Sequence, residues 1–339
     1  MLEKPDLPDE RILTYLQDEY GLCVSKVAFL PLGADLNTAV YRFTTGNDIP
    51  YFLKFRRGIF DKISVVLPQF LSDQGITQII APLPTRTGQL WGNLDDFKVI
   101  LYPFVEGCNG YDLNLSDRHW IDFGKALKTI HSARIPPALT NQIMPETYSP
   151  QGRETVKKFL GQVDNYIVKD PVSAELAVFL KEKHDEILDL VWRAERLARA
   201  LQDRPPESIV CHSDIHAGNV LIDISSKLYI VDWDNPILAP KERDLMSIGG
   251  GLFGNWRSPQ EEESLFYLGY GPTQINSIAL AYYRYERIIQ DIAVYCEQLY
   301  LSTVGGDDRE QSLHYLKSNF LPNHTIEIAC KSDKTSRDM

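Results

Sequence analysis

The first hundred residues alternate short runs rich in aromatic and β-branched residues with clusters of turn formers. Segments 26–33 (KVAFLPLG), 38–45 (TAVYRFTT), 50–55 (PYFLKF) and 97–102 (FKVILY) each predict a strand, with turns at Gly46-Asn47-Asp48 and Gly92-Asn93. Between the third and fourth runs, residues 61–75 predict one helix, which Pro68 should kink or break. After Gly107 the period changes from strand to helix. Ser116 is placed to N-cap a helix carrying Trp120, Phe123, Leu127 and Ile130 on one face. Leu176, Phe179, Leu180, Ile187, Leu190 and Leu197 recur at helical spacing and predict one long helix over 173–201, its basic run 193–199 a solvated face. Ile275, Ile278, Tyr282, Ile288, Ile292 and Leu299 predict another over 274–300. Two short strands, 219–222 and 228–232, are joined by Asp-Ile-Ser-Ser-Lys as a hairpin. The class is α+β: a small β-rich N-terminal lobe (1–105), a connector at 103–107, and a larger helical C-terminal lobe (106–329). The polar tail 330–339 is expected to be disordered.

Composition narrows the options. The 339 residues carry 44% apolar and 24% charged side chains, ordinary for a soluble globular protein. No run approaches the roughly 18 apolar residues of a membrane span, and the acidic, proline-spaced N-terminus is neither a signal nor a transit peptide. Five scattered cysteines without a C-x-x-C pair disfavour a disulfide scaffold and a cysteine-zinc site, so a cytoplasmic setting is expected. The net charge of −11 divides into −2 for residues 1–105 and −9 for the rest. Such a balance disfavours nucleic acid, which needs clustered Lys and Arg. It would suit a cationic small molecule, although simple solubility explains it equally well.

The chemistry concentrates in 209–234. Asp214 is followed five residues on by Asn219, and thirteen further on, across the hairpin, by Asp232. If the hairpin folds back, the three can converge. One carboxylate could then position a hydroxyl and take its proton, while an amide and a second carboxylate hold magnesium, as phosphoryl transfer requires. Asp-x4-Asn, a hairpin and Asp, led by His212-x-Asp214, is the protein-kinase order. Alternatives from other classes are a metal-dependent hydrolase using His212, Asp214 and His216, which lacks further ligands with a matching motif, and a kinase-shaped binder without catalysis.

HSDIHAGN (212–219) followed by IVDWD (230–234) resembles the signature of the aminoglycoside phosphotransferase family. The match can be laid in order from Gly33 to Asp244, and implies a bilobal protein-kinase-like fold with ATP and magnesium between the lobes. Through that resemblance Asp214 is the catalytic base, Asn219 and Asp232 are the magnesium ligands, and His212 and Asp244 brace the catalytic loop. Lys54, in the apolar strand YFLKF, becomes the lysine that steadies the phosphates; an edge lysine pointing to water is the alternative. Gly33, Asp35 and Asn37 fall where kinases carry the phosphate loop, of whose glycines Gly33 alone remains. Pro103 and Val105 resemble the adenine-receiving hinge, which an ordinary connector would also fit. Residues 61–75 contain no Glu to pair with Lys54, so another acid pairs with it or none does.

The short stretch between Asp232 and Arg243-Asp244-Leu245, without A-P-E, argues against a protein substrate. GADLNTAVYR (33–42), HSDIHAGNVLID (212–223), APKERDLMSIGGG (239–251) and YYRYERIIQDIAVY (282–295) look most like the spectinomycin phosphotransferases, which modify the 9-hydroxyl of a dicationic aminocyclitol. A kinase of another metabolite, choline- or homoserine-like, is the runner-up. Asp234, Glu286 and Asp291 are candidate acceptor contacts and Trp256 a candidate pocket wall, each with packing or a surface ion pair as an equal alternative. The expected molecule is a monomer that meets a small-molecule acceptor, with neither nucleic acid nor membrane as partner.

Overall fold

A computed structural model describes residues 4–33, 37–165, 169–254, 256–302 and 306–337. In chain order, α1 (Asp9–Tyr15) runs into a π turn over Leu16–Tyr20. There follow β1 (Val27–Leu30), β2 (Thr38–Thr44), β3 (Pro50–Arg56), α2 (Ile63–Asp73), β4 (Gly92–Leu94), β5 (Phe97–Pro103) and β6 (Gly107–Asn109). Next come α3 (Asp117–His131), α4 (Pro137–Thr140), β7 (Met144–Pro145), α5 (Gln151–Gln162), α6 (Pro171–Glu182), α7 (His184–Asp203) and β8 (Ile209–Cys211). The remainder holds β9 (Val220–Asp223), β10 (Leu228–Ile230), β11 (Ile237–Ala239), α8 (Glu242–Leu245), α9 (Pro259–Tyr270), α10 (Ser277–Leu301), α11 (Gly306–Ser318) and α12 (Thr325–Arg337). No helix among the described residues is long and apolar enough to cross a membrane.

These residues form two compact units. The first takes Met1–Leu113, Ala133–Gln142 and Gly218–Pro236; the second takes Asn114–Ser132, Ile143–Ala217 and Ile237–Met339. In the first unit an antiparallel sheet is ordered β1-β2-β3-β5-β4. Alternation along its strands buries Tyr41, Phe43, Leu53, Phe55, Val99 and Leu101 in one core with Ile12 and Leu16. Gly92 belongs to β4 rather than to a turn. It pairs with Val99, and a Cβ there would meet the Tyr15 hydroxyl at 2.0 Å, so only glycine lets the strand pass. Pro68 does not break α2: burial of Ile63, Val65, Leu67 and Leu71 outweighs the one lost backbone bond. The β9–β10 hairpin pairs with β6 to complete a second antiparallel sheet, and the Asp223 carboxylate accepts from Ser225 and Lys227 amides across its turn.

The second unit is built on helices. Ser116 caps α3 in a reciprocal box with His119, and Trp120, Phe123, Leu127 and Ile130 are all buried. The helix expected over 173–201 is two helices that meet at Lys183. The junction lies in Lys-Glu-Lys-His-Asp-Glu, where no apolar side chain is available to hold a continuous stripe. Lys181 ends α6 and Asp185 and Glu186 begin α7, each on the favourable end of its dipole. Asn276 caps α10, whose buried Tyr282, Ile288, Ile292 and Leu299 join the core of α5, α6 and α7. The basic run of α7 is not simply solvated: Arg193 and Arg196 both pair with buried Asp333. That aspartate lies in α12, so the segment expected to be a disordered tail is helical through Arg337.

Candidate active site

In the first unit two candidate acids, Asp232 and Asp234, meet at Lys54. It lies on β3 between Leu53 and Phe55, is 8% exposed, and so needs a partner for its ammonium. Two carboxylates supply it: Asp232 Oδ1 and Asp234 Oδ1 each lie 2.7 Å from Nζ. Arg56, two residues on and therefore on the same face of β3, pairs with the other oxygen of Asp234. The acid missing from α2 is thus found after β10. Burial alone would depress the Lys54 ammonium, but the two aspartates outweigh it and raise its pKa. Burial pushes the Asp234 carboxyl up, and neighbouring Asp232 adds to this, against Lys54 and Arg56. Asp234 gives its oxygens to Lys54 and Arg56, the ion-pair alternative to an acceptor contact.

Asn219 is buried, and its carbonyl accepts from Val231 N at 3.0 Å, which ties the start of the hairpin to the residue before Asp232. Asp232 itself has φ 66°, an unfavourable conformation for a residue with a side chain. Gly33 has φ 84°, Asn37 is exposed and its carbonyl accepts from Arg57 N, and Asp35 lies outside the described residues. Pro103, exposed, ends β5, and Val105 is half-buried just beyond it.

In the second unit, Asp214 follows β8 on a loop that Asp244 holds. Asp244 is fully buried. Its Oδ2 accepts from His212 N (2.9 Å) and lies 2.9 Å from His131 Nε2, and its Oδ1 accepts from Ser213 N (2.7 Å). Buried His212 turns its Nδ1 to the Asp214 amide at 3.3 Å. The Asp214 carboxylate pairs with Arg287 and lies 3.7 Å from His216 Nε2. Burial would raise its pKa, but Arg287, His216 and His212 together hold it well below the usual carboxylate range.

The remaining candidates divide. Glu286 is 3% exposed and pairs with Arg153 at 2.9 Å, whose other amino group donates to the Tyr148 and Ser149 carbonyls. The packing alternative for Glu286 is thus present, as a buried ion pair. Asp291 pairs with Arg287 at 3.1 Å, and Trp256 is 52% exposed. Arg56, His131, Arg153 and Arg287 were not anticipated. The i,i+4 spacing of Arg287 and Asp291, and the two-residue spacing of Lys54 and Arg56, are the signals that could have found two of them.

Comparison with known proteins supports one family. The pattern described as the phosphotransferase enzyme family matches residues 28–270. The crystal structure of spectinomycin phosphotransferase APH(9)-Ia, in complex with ADP and spectinomycin, is 37% identical and aligns with a TM-score of 0.89, covering 97% of this chain and 100% of that one. Protein StrN of Streptomyces griseus is 23% identical over 245 residues, 70% of this chain and 74% of StrN. The ethanolamine kinase of Plasmodium vivax, 15% identical, shares the fold alone, with a TM-score of 0.61 over 94% of this chain and 88% of that one.

Proposed function

This chain belongs to the phosphotransferase enzyme family and has its protein-kinase-like fold, and from that premise we propose that it phosphorylates spectinomycin or a closely similar aminocyclitol with ATP. The observation that carries the reading is the near-full-length likeness to a spectinomycin phosphotransferase. Asp214 orients the acceptor hydroxyl and takes its proton as the oxygen attacks the γ-phosphorus. The new O–P bond forms, the bond to the β-phosphate oxygen breaks, and ADP leaves. Its low pKa keeps the Asp214 carboxylate ionised at neutral pH.

Lys54 steadies the phosphates, with Gly33, Asp35 and Asn37 from the stretch that precedes β2 in sequence. The Pro103 carbonyl and Val105 amide are assigned to the adenine edge. Asn219 and Asp232 are the magnesium ligands in this reading. Their amide and carboxylate oxygens are the hard donors this ion prefers. A non-glycine residue at φ 66°, as Asp232 is, also fits a side chain aimed for function. When bound, the ion would neutralise charge developing on the phosphoryl oxygens. His212 and Asp244 hold the loop that presents Asp214.

The test is ADP release from ATP with and without magnesium and spectinomycin, beside a panel of aminoglycosides, choline and homoserine. Spectinomycin-dependent turnover is expected, with a loss of about 10²–10⁴-fold in Asp214→Ala and nucleotide binding retained. Turnover with another panel member alone would reassign the acceptor. Bound ATP with no turnover on any acceptor would overturn the reading.

A further inference from the structure

Arg287 joins two carboxylates. From α10 it pairs through Nη1 with Asp214 Oδ1, and its Nε lies 3.1 Å from Asp291 Oδ1, one helical turn further along. The second Asp214 oxygen faces His216 Nε2 at 3.7 Å. The carboxylate assigned as base thus has one oxygen against a guanidinium and the other near an imidazole. A base has to offer an oxygen to the hydroxyl it deprotonates, and loosening the guanidinium contact would release Oδ1 for that purpose.

We propose that Arg287 is a specificity-determining residue that stands in for the acceptor's ammonium. It covers Asp214 until a cationic acceptor displaces it onto Asp291, and so withholds the base from uncharged nucleophiles such as water. The proposal rests on Asp214 serving as the base for an amine-bearing acceptor.

Three observations carry it. The Asp214 and Arg287 side chains remain 38% and 23% exposed, so solvent can reach both charges if the pair opens. Asp291 already touches the same guanidinium from the same helix face, so transfer needs a change of rotamer rather than movement of α10. Burial raises the Asp291 carboxyl and Arg287 opposes this, so fuller contact with Arg287 would favour its ionised form. Other charged groups also bear on these carboxylates: His212 and His216 lower Asp214, Arg243 lowers Asp291, and the Asp214 charge itself raises Asp291. Guanidinium stays protonated throughout, so Arg287 moves charge and no proton.

The experiment measures ATP hydrolysis without acceptor and turnover with spectinomycin, in variants whose folding is checked by thermal melting. Arg287→Met should raise hydrolysis without acceptor roughly fivefold, the upper end for a pair that solvent partly screens. Arg287→Lys, which keeps a cation, should raise hydrolysis less than Arg287→Met does. Adding Asp214→Asn should abolish the gain. Asp291→Asn should strand the guanidinium on Asp214 and lower kcat more than it changes KM, and this effect should vanish in Arg287→Met. A folded Arg287→Met with unchanged or slower hydrolysis would overturn the proposal. So would an Asp291→Asn effect that persists undiminished without Arg287. Absence of spectinomycin stimulation in the wild type instead counts against the proposed acceptor, because the hydrolysis measurement needs none.

Discussion

Asp244 shows how much one carboxylate can hold. It is removed from solvent, yet two loop amides and His131 satisfy its oxygens, the arrangement that makes a buried charge tolerable. Asp244→Ala leaves two buried N–H groups and an imidazole without this partner and should cost about 3–5 kcal/mol. Turnover should fall with it, because His212 and Ser213 lead directly into Asp214. Burial works to raise the Asp244 pKa, but His131, His212 and the amide contact outweigh it, and the native value lies below the ordinary one. A depressed carboxylate stabilises fully above its unfolded pKa of about 3.9, and that stability is lost as pH falls through the native value. Urea unfolding should therefore separate wild type from variant widely at pH 7 and progressively less below about pH 4. A gap that stays constant across this range would remove the carboxylate's charge from the explanation. At this scale the sequence made the need for a partner visible, as at Lys54, but seldom the partner. The ion pairs of Asp234 and Glu286 were hidden because Arg56 and Arg153 reach them from other parts of the chain, which no local spacing encodes.

Elements were most legible where one physical signal dominated. Strands β1, β2, β3 and β5 follow β-branched and aromatic runs, and Ser116 marks the start of α3. The two helices meeting at Lys183 were hidden because the apolar period continues in phase across a polar junction. Composition misled at α12, whose polarity suggested disorder. Its order comes from Ile326 and Ala329 in the helical core and from Asp333 beneath Arg193 and Arg196, contacts that only tertiary structure supplies. Truncation after His324 should therefore be severe. One buried Ile→Ala change costs about 2–5 kcal/mol, against a total stability of about 5–15 kcal/mol. Thermal melting followed by near-ultraviolet circular dichroism should show the helical unit losing its cooperative transition. A truncated chain that melts like the full chain would mean α12 contributes nothing to that core.

At the scale of the whole molecule, chain order and packing part company. Each compact unit collects three separate stretches, so the first unit takes in 218–236 from deep within the helical part of the sequence. A linear reading finds the kinase order of motifs because that order is itself linear, and cannot find this interleaving. Charge is a global property that the sequence does carry: of the net −11, −9 falls beyond residue 105. If the acceptor is a dicationic aminocyclitol, this field should raise its local concentration and its encounter rate. The Debye length shortens from roughly 20 Å to about 7 Å between ~0.02 and ~0.2 M salt, so most of that attraction would be screened. The expected outcome is a several-fold fall in kcat/KM for spectinomycin over this range. kcat should change little, because the bound acceptor no longer depends on long-range attraction. The same titration with Arg287→Met separates the two electrostatic effects. Steering by the whole surface should survive removal of one side chain, while suppression of hydrolysis should not. A kcat/KM for spectinomycin indifferent to salt would mean that the acidity serves solubility alone.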